Sequence, residues 1–177
     1  MKLYVTRHGQ TEWNAENRVC GVTDIDLTER GIEQAKELST RIEHYDIDLI
    51  LSSPLKRARR TAKILADCID KKVVIDNRLI EQNYGGFEGI SRDSVDFKYA
   101  RKQFPSRLIT GESLFQVAHR VYGLLEDIRE KYSTKNVLFV THGSVCRVIN
   151  TYFNELSNDE YYLYYTGNCE LKEYEMQ

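Results

Sequence analysis

A three-layer α/β/α fold is what this sequence predicts, with a mostly parallel central sheet and one antiparallel edge. Three observations carry that prediction. Apolar strand-like runs alternate along the chain with segments of helical periodicity, which implies a parallel sheet with helices on both faces. Several of these runs, such as Val137-Leu138-Phe139-Val140, are continuously apolar, as strands buried on both faces are. Near the C-terminus, two tyrosine-rich runs flank Gly167-Asn168, a hairpin signal that supplies the antiparallel edge.

The elements follow in order. Residues 2–6 read as a buried strand. Thr28 can cap a helix in which Ile32, Ala35, Leu38 and Ile42 recur at helical spacing. Residues 47–52 form a second apolar strand, and Ser53-Pro54 then starts a helix, with Ser53 as its cap and Pro54 in its first turn. Leu55, Ala58, Ala62 and Leu65 give that helix its apolar stripe. Residues 72–75 are a third short strand. Residues 84–111 hold Gly85, Gly86, Gly89, Pro105 and Gly111, with one polar helix around 94–103. A long helix over 112–131 carries Leu114, Val117, Val121, Leu124, Leu125 and Ile128. The strand 136–141 precedes a helix from Gly143 or Ser144 to about Tyr152. Runs 161–166 and 169–174 form the hairpin.

At 177 residues, with two prolines and no low-complexity linker, a single domain over 1–177 is expected. Lys and Arg number 25 against 27 Asp and Glu, so no global charge pulls toward nucleic acid or an anionic membrane. No apolar run is long enough to span a bilayer, and the start of the chain lacks the pattern of a secretory signal. Cys20, Cys68, Cys146 and Cys169 form no metal-ligand spacing and read as free, mostly buried thiols of a cytoplasmic protein.

Two stretches share one grammar. Residues 2–9 (KLYVTRHG) and 137–147 (VLFVTHGSVCR) each place a histidine just past the carboxyl end of an apolar strand. In open α/β sheets that edge is where ligands bind. A third strand ends at residues 54–62 (PLKRARRTA), so Arg7, His8, His142 and an arginine from 57–60 are expected to meet there. Such a cluster suits an anion: guanidinium matches phosphate oxygens bidentately, and the helix starting near Ser144 adds N–H groups and a positive dipole end. Zinc on the two histidines is the rival, disfavoured because a divalent cation would sit beside arginines. A phosphoryl group so held needs a nucleophile and an acid. Neutral imidazole can attack phosphorus, surrounding positive charge lowers its pKa, and a carbonyl of the His8-Gly9 turn could fix its tautomer. Glu12, Glu81, Glu88 and Glu112 are the candidate acids.

The chain resembles the histidine phosphatase superfamily, in the branch of cofactor-dependent phosphoglycerate mutases and their small phosphatase relatives. The matching stretches are TRHGQTEWN (6–14), RVCGVTDIDLTERG (18–31), SSPLKRARRTA (52–62), LIEQNYGGFEG (79–89), GES (111–113) and VTHGSVCR (140–147). They occur in the family's order and cover most of the chain. The resemblance implies a phosphoglycerate mutase-like fold, with His8 as the nucleophile that forms a phosphohistidine. Arg7, Arg57 and His142 would complete the phosphate pocket, Asn14 would add a hydrogen bond, and Glu81 would be the general acid. Helix geometry alone does not choose Arg57 over Arg59. Cys20, Gly21, Tyr84 and Gly143 fall where the family contacts substrate.

The sequence also departs from the family. Gln82 and Asn83 follow Glu81, and Cys20 stands where a hydroxyl residue is common. Only residues 90–110 lie between the Glu81 and GES segments, with Arg92, Arg101, Lys102 and Arg107 in no paired arrangement. That shorter cover is expected to leave the pocket open to water, favouring hydrolysis over retention of an intermediate. His44 and His119 read as surface or packing residues, Arg59 and Arg60 as a solvated face, and Arg18 as a support for the phosphate loop or a surface ion pair. Glu88 and Glu112 read as loop-ordering residues, Trp13 as a core aromatic, and the tyrosine-rich tail as an edge strand that could form a dimer surface. The expectation is a metal-independent and cofactor-free phosphatase of small phosphorylated metabolites, monomer or homodimer. A mutase, a protein phosphohistidine phosphatase and a non-catalytic phosphate-binding regulator are the alternatives.

Overall fold

The structure, a computed structural model, describes residues 1–176. Five strands, β1 (Lys2–Arg7), β2 (Leu49–Ser52), β3 (Val73–Ile75), β4 (Val137–Thr141) and β5 (Leu171–Glu175), form one sheet in the order β3-β2-β4-β1-β5. The first four run parallel, and β5 lies antiparallel on β1 with Leu3 opposite Tyr174. Helices α2 (Glu29–Ile42) and α3 (Lys56–Ile69) follow β1 and β2. Helices α5 (Leu114–Lys131) and α6 (Gly143–Phe153) precede and follow β4.

Alternation along the strands explains the layers. Leu3, Val5, Val137 and Phe139 point to one face and pack on Val121, Leu124 and Leu125 of α5 and Val145 and Ile149 of α6. Tyr4, Leu138 and Val140 point to the other and pack on Ala35 and Leu38 of α2 and Ala58 and Leu65 of α3. Every residue of β4 is buried, which accounts for its unbroken apolar run. Thr28 caps α2 by accepting from Gly31 N, as its position predicts. The polar helix of the middle segment is α4 (Val95–Ala100), capped by Ser94.

Three expectations are corrected. Ser53 does not cap α3; Leu55 is the N-cap and makes no side-chain cap bond. The Ser53 hydroxyl is buried and engaged elsewhere, as described below. Residues 161–166 are not a strand. Ser157 and Glu160 form a reciprocal capping box that starts a helix, α7 (Asn158–Leu163), and the chain then runs to β5 without a hairpin. Trp13, on the short helix α1 (Glu12–Ala15), is half-buried rather than a core residue, and the Arg18 guanidinium stacks 4.5 Å from its ring centroid.

Candidate active site

β1 and β4 are neighbours in the sheet, so their carboxyl ends deliver His8 and His142 side by side, with ring centroids 5.0 Å apart. His8 N donates to Thr141 O (2.9 Å), which carries the pairing one residue past the strand. His8 Nδ1 lies 2.7 Å from Gly9 O. A carbonyl only accepts, so Nδ1 carries the proton and Nε2 holds the lone pair. Arg57 Nε donates to that Nε2 at 3.2 Å, consistent with the same tautomer. Burial first, then the charges of Arg57 and Arg7, hold the His8 pKa well below the usual histidine range. His142 is lowered likewise by burial, then by Arg57, His8 and Arg7.

Of the arginines of α3, Arg57 is the one placed beside His8. Arg57 is fully buried, whereas Arg59 and Arg60 are exposed. Its Nη2 donates to Gly21 O (2.6 Å) and its Nη1 to Thr23 O (2.9 Å). The loop carrying those carbonyls is held in turn by Glu88, which accepts from Val22 N (2.8 Å) and Thr23 N (2.9 Å). Glu88 is thus the loop-ordering residue expected. Gly21 positions Arg57 through its carbonyl. A Cβ there would lie 2.5 Å from Gln82 O and 2.9 Å from the Tyr84 ring, so no larger residue fits.

Arg7 reaches across the pocket, its Nη1 donating to Thr166 O (3.1 Å) and Tyr165 Oη (3.2 Å). His142 Nε2 lies 2.7 Å from Ser53 Oγ. That leaves Arg7 Nε and His142 Nδ1 buried without a partner among the described residues. Buried polar groups are nearly always satisfied, so two such nitrogens around one imidazole mark where a ligand's atoms belong. Asn14 lines the same pocket. Its amide oxygen accepts from Thr11 N (3.1 Å) and Asn168 Nδ2 (3.3 Å), which turns its NH2 group away from them as a further donor.

Of the four candidate acids, only Glu81 is buried at the pocket, at 5% exposure. Its Oε1 accepts from Gln82 N (2.9 Å) and its Oε2 from Ser144 N (3.2 Å), in the first turn of α6. Glu12 is exposed, and Glu112 is bound by Arg120 Nε (2.8 Å) and Nη2 (3.0 Å). Gly143 faces Arg7 and Glu81: a Cβ added there would lie 3.8 Å from Arg7 Nε and 3.9 Å from Glu81 Oε2. Cys20 and Tyr84 line the wall, with the Tyr84 hydroxyl pushed up to about 12, chiefly by burial. His44 and His119 are exposed and do not line the pocket.

Several participants were not legible in the sequence. Asn168, read as a turn residue, donates to His8 O (2.8 Å) as well as to Asn14. Thr61 Oγ1 accepts from Gly9 N (3.1 Å) and anchors the turn behind His8. Arg92, Arg101 and Arg147 line the pocket together, so the expectation of no grouped arginines is corrected; Lys102 and Arg107 are not part of its lining. Tyr162, Tyr164 and Tyr165 form part of the wall, and with residues 84–108 they cover the site. The cover is therefore not limited to the short 90–110 segment: the first part of the tyrosine-rich tail is a pocket wall, and its last part, β5, is the antiparallel edge strand expected. Among the described residues no group of three or more His, Cys, Asp or Glu is placed to hold a metal, and no helix is long and apolar enough to cross a membrane.

Comparison with known proteins gives the same family from three directions. The chain is 37% identical over 150 residues to the probable phosphoglycerate mutase GpmB of Escherichia coli, covering 81% of this chain and 70% of that protein. A mycobacterial glucosyl-3-phosphoglycerate phosphatase superposes with a TM-score of 0.88 at 26% identity, over 97% of this chain and 90% of the other. The phosphoserine phosphatase of Entamoeba histolytica, solved as a mutant in complex with phosphoserine, superposes with a TM-score of 0.86 at 30% identity, over 97% and 89%. The sequence model for branch 1 of the histidine phosphatase superfamily matches residues 3–177. With the paired strand-end histidines already in place, the chain belongs to the histidine phosphatase superfamily.

Proposed function

We propose that the protein hydrolyses small phosphomonoesters without a metal, through a phosphohistidine on His8, with Glu81 as general acid. Family membership and the phosphatases among its structural neighbours support a phosphatase activity. The observation that carries the finer reading is the His8 tautomer: Nδ1–H on Gly9 O and a lone pair on Nε2, inside a pocket with unpartnered Arg7 Nε and His142 Nδ1.

The lone pair of His8 Nε2 attacks phosphorus, forming the N–P bond as the ester P–O bond breaks. The Arg57 Nε–H that donated to Nε2 is released to a phosphate oxygen, beside donors from Arg7, His142 and Asn14. Glu81 gives its proton to the leaving alkoxide. In the second step a water attacks the phosphoryl group, Glu81 takes the water's proton, and the N–P bond breaks to return His8 and release inorganic phosphate. The cluster of Arg7 and Arg57 makes a divalent cation at the same spot repulsive, so the positive charge needed for the transition state comes from guanidinium.

The purified protein is expected to hydrolyse p-nitrophenyl phosphate in excess chelator. Activity that vanishes with chelator and returns with zinc would overturn the metal-free mechanism. Likeness to GpmB supports a second reading as a mutase. Formation of 2-phosphoglycerate from 3-phosphoglycerate in the presence of a bisphosphate primer, faster than phosphate release, would favour it.

A further inference from the structure

Arg7 and His8 carry β1 into the pocket, and the segment that clasps them comes from the far end of the chain. Residues 165–169 join α7 to β5. Arg7 Nη1 donates to Tyr165 Oη and Thr166 O, Cys169 N donates to Arg7 O (2.9 Å), and Asn168 Nδ2 donates to His8 O (2.8 Å). The same NH2 group reaches Asn14 Oδ1 at 3.3 Å. A planar amide offers two hydrogens, so Asn168 gives one to the main chain of His8 and the other to a residue of the phosphate pocket. Asn168 does not itself line that pocket.

The turn that aims this amide is strained. Glu170 N donates to Gly167 O (3.2 Å), closing a four-residue turn with Asn168 and Cys169 at its centre. Cys169 has a φ of +56°, in the left-handed region that glycine or asparagine normally fills at this position of a turn. Such a conformation persists only where its surroundings fix it. Here Cys169 is buried in the core cluster of Tyr4, Ala35 and Leu38, its N–H is held by Arg7 O, and Gly167 N donates to Glu170 Oε2 (2.7 Å). A plain connection from α7 to β5 needs no strained cysteine, whereas the placing of Asn168 beneath His8 accounts for one. Asn14 shows what the placement does. Its Oδ1 takes hydrogens from Thr11 N (3.1 Å) and from Asn168, which occupies both lone pairs and turns its NH2 to the pocket. Turning that amide over would set NH2 against both donors.

We propose that Asn168 is a positioning residue of the phosphate site: without touching substrate, it holds the Asn14 amide with its NH2 toward the phosphoryl oxygens and fixes the His8 main chain beside it. Loss of Asn168 leaves Asn14 Oδ1 with Thr11 N alone and frees the amide to swing, so a donor to the anion is lost although Asn14 is still present. The proposal deepens the phosphatase reading and rests on it for the group that Asn14 grips.

The test is equilibrium binding of inorganic phosphate, which needs no turnover. Unmodified protein, Asn14→Ala, Asn168→Ala and the double variant are titrated calorimetrically. Each single substitution is expected to weaken binding about tenfold or more. The double variant is expected to bind within about threefold of Asn14→Ala, because Asn168 acts through the residue already removed. A merely structural role would loosen the site again on top of Asn14→Ala, so the double variant tells the two apart. Asn168→Asp keeps the size but cannot donate to both oxygens, and it is expected to bind phosphate as weakly as Asn168→Ala; it carries the test if the alanine variant does not melt cooperatively. Unchanged affinity in the Asn168 variants, losses that multiply in the double variant, or no phosphate binding by the unmodified protein would overturn the proposal. Turnover of p-nitrophenyl phosphate by the unmodified protein tests the phosphatase reading separately.

Discussion

Glu81→Gln removes the carboxyl group proposed to protonate the leaving oxygen and leaves its shape almost unchanged, so its effect on rate reports on acid catalysis. In the native site both carboxylate oxygens accept backbone N–H bonds, from Gln82 and Ser144. A glutamine must turn its NH2 group toward one of those two donors, which costs roughly 1–3 kcal/mol of stability and appears as a lower melting temperature. The catalytic effect is separable from this. A positioned general acid contributes about 10²–10⁴-fold, or about 2.7–5.5 kcal/mol of barrier, when the leaving group is a poor one. A nitrophenolate leaves without protonation, so the same substitution should slow p-nitrophenyl phosphate by less than about tenfold. The assay is kcat/KM for glycerol 3-phosphate and for p-nitrophenyl phosphate, in wild type and variant. Misplacement of the phosphate pocket lowers both and cancels in the ratio of ratios. Equal losses for the two substrates would remove Glu81 from the acid role, whatever the size of the loss.

Two further outcomes follow from burial. His8 and His142 have folded-state pKa values below those of the unfolded chain, so the unfolded state binds more protons as pH drops beneath about 6.5. Stability should therefore be flat above that pH and fall below it, by about 1.4 kcal/mol per pH unit for each histidine, and the acid limb of kcat/KM should lie under the usual histidine range. Urea midpoints that hold steady from pH 7 to 5 would count against it. Arg57→Met leaves Gly21 O and Thr23 O without donors and removes the Nε–H on His8; unfolding free energy should drop by about 2–5 kcal/mol along with activity. An unchanged urea midpoint would mean that these bonds contribute nothing to the fold.

What the sequence made legible was whatever is local. His8, Arg7 and His142 announce themselves because a strand end and the residues after it are contiguous, and a carboxyl edge is a place as well as a pattern. Glu81 and Arg57 were reached through the family resemblance, since four glutamates and two arginines competed on local grounds. Ser53 shows the limit of local rules. Its place before Pro54 fits a helix cap, yet His142, 89 residues away in sequence, takes its hydroxyl. The tail shows the same contest between two local signals. Gly167-Asn168 suggested a hairpin, but the Ser157–Glu160 capping box committed the preceding residues to a helix, leaving Asn168 to clamp His8 and Asn14. Arg92, Arg101 and Arg147 could not be grouped from spacing at all, because the three come from separate segments that only the folded pocket brings together.

The central claim is that a nitrogen of His8 becomes bonded to phosphorus, and trapping that bond tests it most directly. Wild-type protein is mixed with p-nitrophenyl phosphate, quenched in alkali, which spares phosphohistidine, and mapped by peptide mass spectrometry. The account predicts one phosphoryl group on His8, present during turnover and absent from the His8→Ala variant. Turnover with no phosphorylated peptide, or with the phosphoryl group on Ser53, Cys20 or His142, would contradict it.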